Sequence, residues 1–469
     1  MGTGRAGRRR WATLTAAAFC LLALTGCSVV VTGLASPARP PATDVATGDV
    51  RVVGSTDEEV DVLARNALAD LETFWAEEFP EVFGTQFEPL QGGYFSVDPG
   101  NADPAVYPNG IGCGAAASDV ESNAFYCVAP DAPNSDSISY DRTFLAELGA
   151  EFGRFIPALV MAHEFGHAVQ ARVGSPSASI AVETQADCLA GTWTRWVAEG
   201  EAEHSVLRTP ELDELLRGYL QLRDPVGTSP GQEQAHGSYF DRVSAFQEGF
   251  DTGTEACRDN FGPGRAFTQT GFDPSNPTDA ARGGNAPPDE LLDIIDTSLP
   301  GAWEPAFDQV FGEPFDPPSI EPFDGDAPGC APDGDLDLVY CSDENVVGFD
   351  TSDLASPAYE LGDFAVATAV ALPYGLAVRD QLGLSTDDED AARSAVCLSG
   401  WYAARVFENE AGGPVVSPGD IDESVQFLLT FGNEPSVVPA ADLTGFQLVD
   451  LFRAGFVEGL EACGLDDAL

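Results

Sequence analysis

Lysine is absent from all 469 residues, so the 22 basic residues are arginines, set against 76 aspartates and glutamates for a formal charge of −54. The missing lysine carries no mechanism of its own. The charge does exclude: it opposes binding to nucleic acid and to anionic lipid head groups, and fits a solvated acidic surface that keeps an exported protein soluble. It favours basic peptides only weakly. Histidine is scarce, at four residues, and no pair of cysteines has the CxxC spacing of a cysteine metal site.

No apolar run reaches the length of a bilayer-spanning helix near the start of the chain; Trp11 to Leu24 is too short. Behind Arg5, Arg8, Arg9 and Arg10 it reads as a signal segment, 1–26, and Leu24-Thr25-Gly26-Cys27 resembles a lipobox. Cleavage before Cys27 would leave a lipid-anchored protein on the extracytoplasmic face of the cell membrane. An ordinary secretory signal with an incidental cysteine also fits, and it too exports the chain. Residues 27–56, with Pro37, Pro40 and Pro41, read as a tether.

The scarcity of histidine makes one cluster informative. In His163-Glu164-Phe165-Gly166-His167 the two histidines are four apart, on one face of a helix, and can reach one zinc ion. With four histidines, a chance match to HExxH has a probability of roughly a few in a thousand. Pro157 can open the helix, Leu159, Val160, Ala162 and Val169 give it apolar faces, and Gly174 with Pro176 stops it. Glu164 falls beside the metal, placed to act as general base on water.

A catalytic zinc of this kind takes a third protein ligand. Glu183 and Asp187 are again four apart, on a second expected helix running to about Val197 and closed by Gly200. Glu183 would complete a His2Glu set, and Asp187 could accept the free N–H of a ligand histidine. The bland alternative is two solvated acids on a helix surface.

The runs Met161-Ala162-His163-Glu164-Phe165-Gly166-His167-Ala168-Val169-Gln170 and Glu183-Thr184-Gln185-Ala186-Asp187-Cys188-Leu189-Ala190-Gly191-Thr192-Trp193 resemble the bacterial putative neutral zinc metallopeptidase family, among the zincins with a glutamate third ligand. Weaker matches are Phe125-Tyr126-Cys127, Tyr140-Asp141, and His236-Gly237-Ser238 leading to Arg242 and Phe246. The resemblance spans roughly residues 70 to 260. It implies His163, His167 and Glu183 as zinc ligands, Glu164 as catalytic base and Asp187 as support for a ligand.

The chain also repeats itself. Ala162-His163-Glu164-Phe165-Gly166-His167-Ala168-Val169 aligns with Ala371-Leu372-Pro373-Tyr374-Gly375-Leu376-Ala377-Val378 at an offset of 209, which also carries Gly174 to Gly383, Cys188 to Cys397 and Gly191 to Gly400. Phe246-Gln247-Glu248-Gly249-Phe250 through Cys257 matches Phe452-Arg453-Ala454-Gly455-Phe456 through Cys463. In the second copy Leu372, Pro373, Leu376, Ala392 and Val396 stand in for His163, Glu164, His167, Glu183 and Asp187, and none can bind zinc or move a proton. Pro373 is expected to kink or break its helix.

Beyond Cys20 and Cys27, eight cysteines remain, and an even count in an exported chain reads as disulfides. The repeat makes the economical pairing Cys113–Cys127, Cys188–Cys257, Cys330–Cys341 and Cys397–Cys463; pairing between the copies stays open. The expected fold is α+β, mostly helical: a zincin-like metallopeptidase domain at 57–259, a Gly/Pro/Asn-rich linker at 260–288 and a degenerate non-catalytic repeat at 289–469, each copy long enough for its own core.

His236 could donate a hydrogen bond to the oxyanion of an attacked carbonyl, or be a structural histidine. His204, among acids, reads as a solvated surface residue. The expectation is an extracytoplasmic, lipid-anchored endopeptidase acting on peptides or proteins, with zinc as cofactor, zinc-activated water and Glu164 as base. An envelope binding or scaffold protein with a structural or vestigial zinc site is the alternative, and hydrolysis of a non-peptide amide a third. Oligomeric state is not encoded in any feature of the chain.

Overall fold

The computed structural model describes residues 42–465, apart from 332–335, 414 and 440. The signal segment and Cys27 lie outside the described residues. The fold is α+β and 52% helical. No helix among the described residues is long and apolar enough to cross a membrane.

The first copy opens with strand β1 (Val52–Val53), helix α1 (Glu59–Phe83) and strands β2 (Gly93–Val97), β3 (Ala124–Cys127) and β4 (Ser137–Asp141). Helices α2 (Arg142–Phe152), α3 (Ile156–Val173), α4 (Ser179–Ala198), α5 (Thr209–Leu222), α6 (Tyr239–Thr252) and α7 (Thr254–Asp259) follow. The sheet has the order β1-β2-β4-β3, with β2 and β4 parallel and β3 antiparallel on the edge. Asp141 ends β4 and starts α2 by accepting the backbone N–H groups of Thr143 and Phe144.

The 260–288 segment holds a short helix, α8 (Pro277–Ala281), which its composition did not announce. The second copy then runs through α9 (Pro288–Ala306), β5 (Ser319–Phe323), β6 (Leu338–Cys341), β7 (Val346–Asp350), α10 (Ser356–Tyr359), α11 (Asp363–Gln381), α12 (Glu389–Phe407), α13 (Asp420–Phe431) and α14 (Gly445–Glu458). Its sheet, β5-β7-β6, repeats the parallel and antiparallel pairings of β2-β4-β3, and Asp350 caps the next helix as Asp141 does.

The equivalence reaches single contacts. A β-carbon on Gly249 would overlap the carbonyl of Cys188, and one on Gly455 would overlap that of Cys397, so α6 crosses α4 and α14 crosses α12 at the same backbone-on-backbone distance. Cys188–Cys257 and Cys397–Cys463 tie these crossings, and Cys113–Cys127 and Cys330–Cys341 staple the strand loops. All four pairs follow the within-copy scheme.

Two expectations are corrected. The helix α11 runs through Pro373 without interruption. Proline removes one backbone donor, but nearly every residue from Phe364 to Arg379 is buried, and packing on all sides holds the helix around the gap. Nor does each copy keep its own core: one continuous apolar cluster runs from Val45 to Leu465. The halves meet through reciprocal contacts. Asp422 accepts the N–H groups of Tyr239 and Phe240 at 3.1 and 2.9 Å, and Asp213, its counterpart at the offset of 209, accepts those of Gly445 and Phe446 at 2.9 and 2.7 Å. Each copy thus caps a helix of the other, as across a two-fold axis. Phe240 packs on Phe456 with ring centroids 4.8 Å apart, and Phe250 on Phe446 at 5.0 Å, sealing the junction.

Candidate active site

Helix α3 carries His163, Glu164 and His167, and α4 carries Glu183 and Asp187; the two helices pack closely because Gly166 lets the backbone of Ala186 approach where a β-carbon would crowd it at 2.9 Å. That contact brings Glu183 opposite the two imidazoles. His163 Nε2 and His167 Nε2 are 3.2 Å apart, and Glu183 Oε2 lies 3.3 and 3.5 Å from them. Three donors about 2.0–2.1 Å from one tetrahedral ion lie about 3.3 Å from each other, so this triangle fits zinc. Two nitrogens and a carboxylate oxygen suit zinc chemically, and one position stays open for water or substrate.

The ring tautomers are set from behind. In the neutral rings, His163 Nδ1–H donates to Asp187 at 2.8 Å and His167 Nδ1–H to Gln170 Oε1 at 2.9 Å, which leaves both Nε2 lone pairs facing the shared point. Asp187 is fully buried and receives two further hydrogen bonds of 2.8 Å from Arg242 on α6. Gln170 is held by donating to Val182 O at 2.7 Å and Gln185 Oε1 at 3.0 Å, and Gln185 in turn donates to the carbonyl of Cys257.

Burial presses the His163 imidazolium down, but Asp187 and Glu183 outweigh it and hold its pKa up at about 10 in the metal-free protein. Burial likewise raises the Glu183 carboxyl, and the two histidines overcome it and bring it far below the usual range. At neutral pH the metal-free site therefore keeps a proton on His163 that a metal must displace.

Glu164 is 5% exposed and stands outside the triangle. Its Oε2 accepts the backbone N–H of Tyr126, on edge strand β3, at 2.6 Å. Both line a cavity of about 680 Å³ with His163, His167, Glu183 and His236. His236 is half-exposed at this cavity, with Nδ1 3.2 Å from Asp224 Oδ1 and its backbone N–H donated to the same carboxylate at 2.7 Å. His204 lies elsewhere, half-buried, with Nδ1 2.6 Å from Thr43 O.

Two participants were missed as such in the sequence. Arg242 was noted only as part of a weak match, without its grip on Asp187 from 55 residues away. Gln170, three residues after His167, offered a helical i, i+3 spacing that could have marked it as the second ring's partner. In the second copy the same location is an apolar cavity of about 320 Å³ that includes Leu372, Pro373, Leu376 and Ala392.

The sequence model of the putative neutral zinc metallopeptidase family matches residues 12–178, which include His163, Glu164 and His167 and stop short of Glu183. Over 234 residues the chain is 28% identical to the uncharacterized protein YpfJ of Escherichia coli K12, covering 45% of this chain and 75% of that protein. Over 175 residues it is 28% identical to the uncharacterized protein Rv2575 of Mycobacterium tuberculosis, covering 32% of this chain and 59% of that one. No solved structure matches.

Proposed function

We propose that the chain, whose residues 12–178 match the model of the putative neutral zinc metallopeptidase family, is a member of that family and a zinc-dependent endopeptidase acting outside the cytoplasm. One observation carries this reading: the His163–His167–Glu183 triangle has a fourth group, Glu164, beside it in the cavity and outside the ligand set. A structural metal has no use for a carboxylate so placed. Bound in the triangle, zinc supplies Lewis acidity for a carbonyl and lowers the pKa of water toward neutrality.

The remaining roles fall to the protein. Glu164, anchored through Oε2 to Tyr126, accepts the proton of the attacking water and returns it to the leaving nitrogen. Asp187 and Gln170 fix the rings of His163 and His167. His236, oriented by Asp224, can donate from its other nitrogen to the oxyanion. Strand β3 lines the cavity as the edge of its sheet, and the edge groups beside the Tyr126 N–H that Glu164 holds can pair with an extended peptide backbone, which favours peptides over other amides. Four disulfides and the signal-like first 26 residues support an oxidising, extracytoplasmic location, with Cys27 as the lipid-bearing residue.

Metal analysis of the purified protein with a peptide-library cleavage assay tests this. About one zinc per chain, cleavage lost on chelation and regained with zinc, and neither zinc nor cleavage in the His163→Ala/His167→Ala variant are expected. A full zinc equivalent with no cleavage of any peptide would favour a scaffold protein instead.

A further inference from the structure

The two copies differ in charge at a second place, far in sequence from the histidines. At the offset of 209, Gly153, Arg154, Arg208, Glu211 and Glu214 correspond to Gly362, Asp363, Ser417, Asp420 and Glu423. The geometry repeats. Gly153 (φ +100°) and Gly362 (φ +143°) sit against the carboxyl groups of Glu214 and Glu423, and the N–H of Arg208 donates to Glu211 as that of Ser417 donates to Asp420, at 2.6 and 2.8 Å.

In the first copy this place holds two arginines: Arg208 Nη2 pairs with Glu211 at 2.6 Å, and Arg154, paired with Glu59 at 2.6 Å, adds its positive charge nearby. In the second copy both arginines are gone and a third acid has taken one place. Among the described residues no arginine or histidine lies within ion-pairing distance of Asp363, Asp420 or Glu423, although Arg282 borders the same cavity.

The three carboxylates are arranged alike. One oxygen of each is tied to a backbone N–H at 2.8 Å: Asp363 Oδ2 to Ala286, Asp420 Oδ2 to Ser417, Glu423 Oε2 to Phe364. The opposite oxygens of Asp363 and Asp420, both Oδ1, are buried with no hydrogen-bond partner. Asp420 is 5% and Glu423 7% exposed. One oxygen from each of the three lies no more than 4.8 Å from the others, close enough for a single ion with ligands at about 2.3–2.6 Å to touch all three. Buried carboxylates without partners are costly, and a cation or protons must offset them.

We propose that Asp363, Asp420 and Glu423 form a calcium site in the second copy, closing the segment between the copies onto the starts of α11 and α13. An all-oxygen, trianionic set selects a hard cation over zinc, and three largely buried protein carboxylates suit calcium, which accepts a cage of protein oxygens, better than magnesium, which keeps several of its waters. The segment between the copies is held there already: Ala286 N–H donates to Asp363, Asn285 Oδ1 accepts the N–H of Asp363 at 2.9 Å, and Asp279 accepts from Ser417 at 2.9 Å. Calcium would lock the second copy to the segment that follows the active one.

Calorimetric titration of the full chain with calcium chloride, in about 150 mM sodium chloride to suppress loose binding to the acidic surface, tests the site. About one saturable calcium per chain is expected, retained in the His163→Ala/His167→Ala variant and lost in Asp420→Asn and Glu423→Gln. Asp363→Arg, which restores the first copy's cation, should lose calcium while its thermal midpoint without calcium equals or exceeds the wild type's. That midpoint also shows that the variant folds. No saturable binding up to millimolar calcium, or equal binding by wild type and Asp420→Asn, would overturn the proposal.

Discussion

Arg242 grips Asp187 through two hydrogen bonds of 2.8 Å beneath His163, and in the second copy the two places are taken by Val396 and Leu448, both fully buried. The second copy therefore has neither the pair nor the histidine it supports, since Leu372 stands at the place of His163. Removing one member of a buried pair leaves a charge without a partner, whereas replacing both with apolar groups of similar size is close to neutral.

Arg242→Leu alone should therefore be destabilising in urea unfolding, by up to about 3 kcal/mol, because the buried Asp187 loses two of its hydrogen bonds and keeps only that from His163. The double variant Asp187→Val/Arg242→Leu should recover most of that loss. Its zinc affinity should still fall about 10–100-fold in competition with a chelator, since His163 Nδ1 then has no acceptor. A double variant as unstable as the single one would contradict the pairing.

The acidic cluster predicts an inverted pH response. Burial first, then the charge of Asp363, pushes the Glu423 carboxyl up to about 8, and Asp422 adds to it; Asp420 is raised too, by burial and then by Asp363 and Glu423. Between the ordinary carboxyl range near 4 and about 8, the folded state keeps a proton that the unfolded chain has released, so this contribution to stability is present at low pH and declines as pH rises. In calcium-free protein, Glu423→Gln should flatten the decline in thermal midpoint between pH 5 and about 8. Calcium should flatten it in the wild type. A midpoint that climbs through this window equally in both proteins would contradict it.

The unbroken helix around Pro373 makes the second copy's metal site restorable in part. Leu372→His/Leu376→His supplies only two ligands and should bind no stoichiometric second zinc. Adding Ala392→Glu should raise the content toward two zinc ions per chain, with the new site weaker because Val396 offers no acceptor to the ring. Elemental analysis after dialysis reads this directly, and a second full equivalent in the two-histidine variant would contradict it.

The cluster of His163, Glu164, His167, Glu183 and Asp187 was legible because its residues sit close in sequence at helical spacings, and the repeat because an ungapped offset preserved its glycines and cysteines. Arg242 was not, since a buried pair formed across 55 residues leaves no local period. The tolerance of Pro373 depends on packing from every side, which a local rule for proline does not contain. The shared core was hidden for a similar reason. Phe240 and Phe250 pack on Phe456 and Phe446, and nothing in the spacing of these phenylalanines says which copy they face. Asp213 and Asp422 carry no local sign of a capping role, because the helix each one caps belongs to the other copy.

Glu164→Gln tests the central claim most directly. Glutamine keeps the size of the side chain and can still accept from the N–H of Tyr126 through its carbonyl oxygen, but it cannot take a proton from water. With zinc content and thermal midpoint held at wild-type values, cleavage of the best library peptide should fall by at least about 10²-fold. Unchanged turnover in a zinc-replete Glu164→Gln protein would contradict the account.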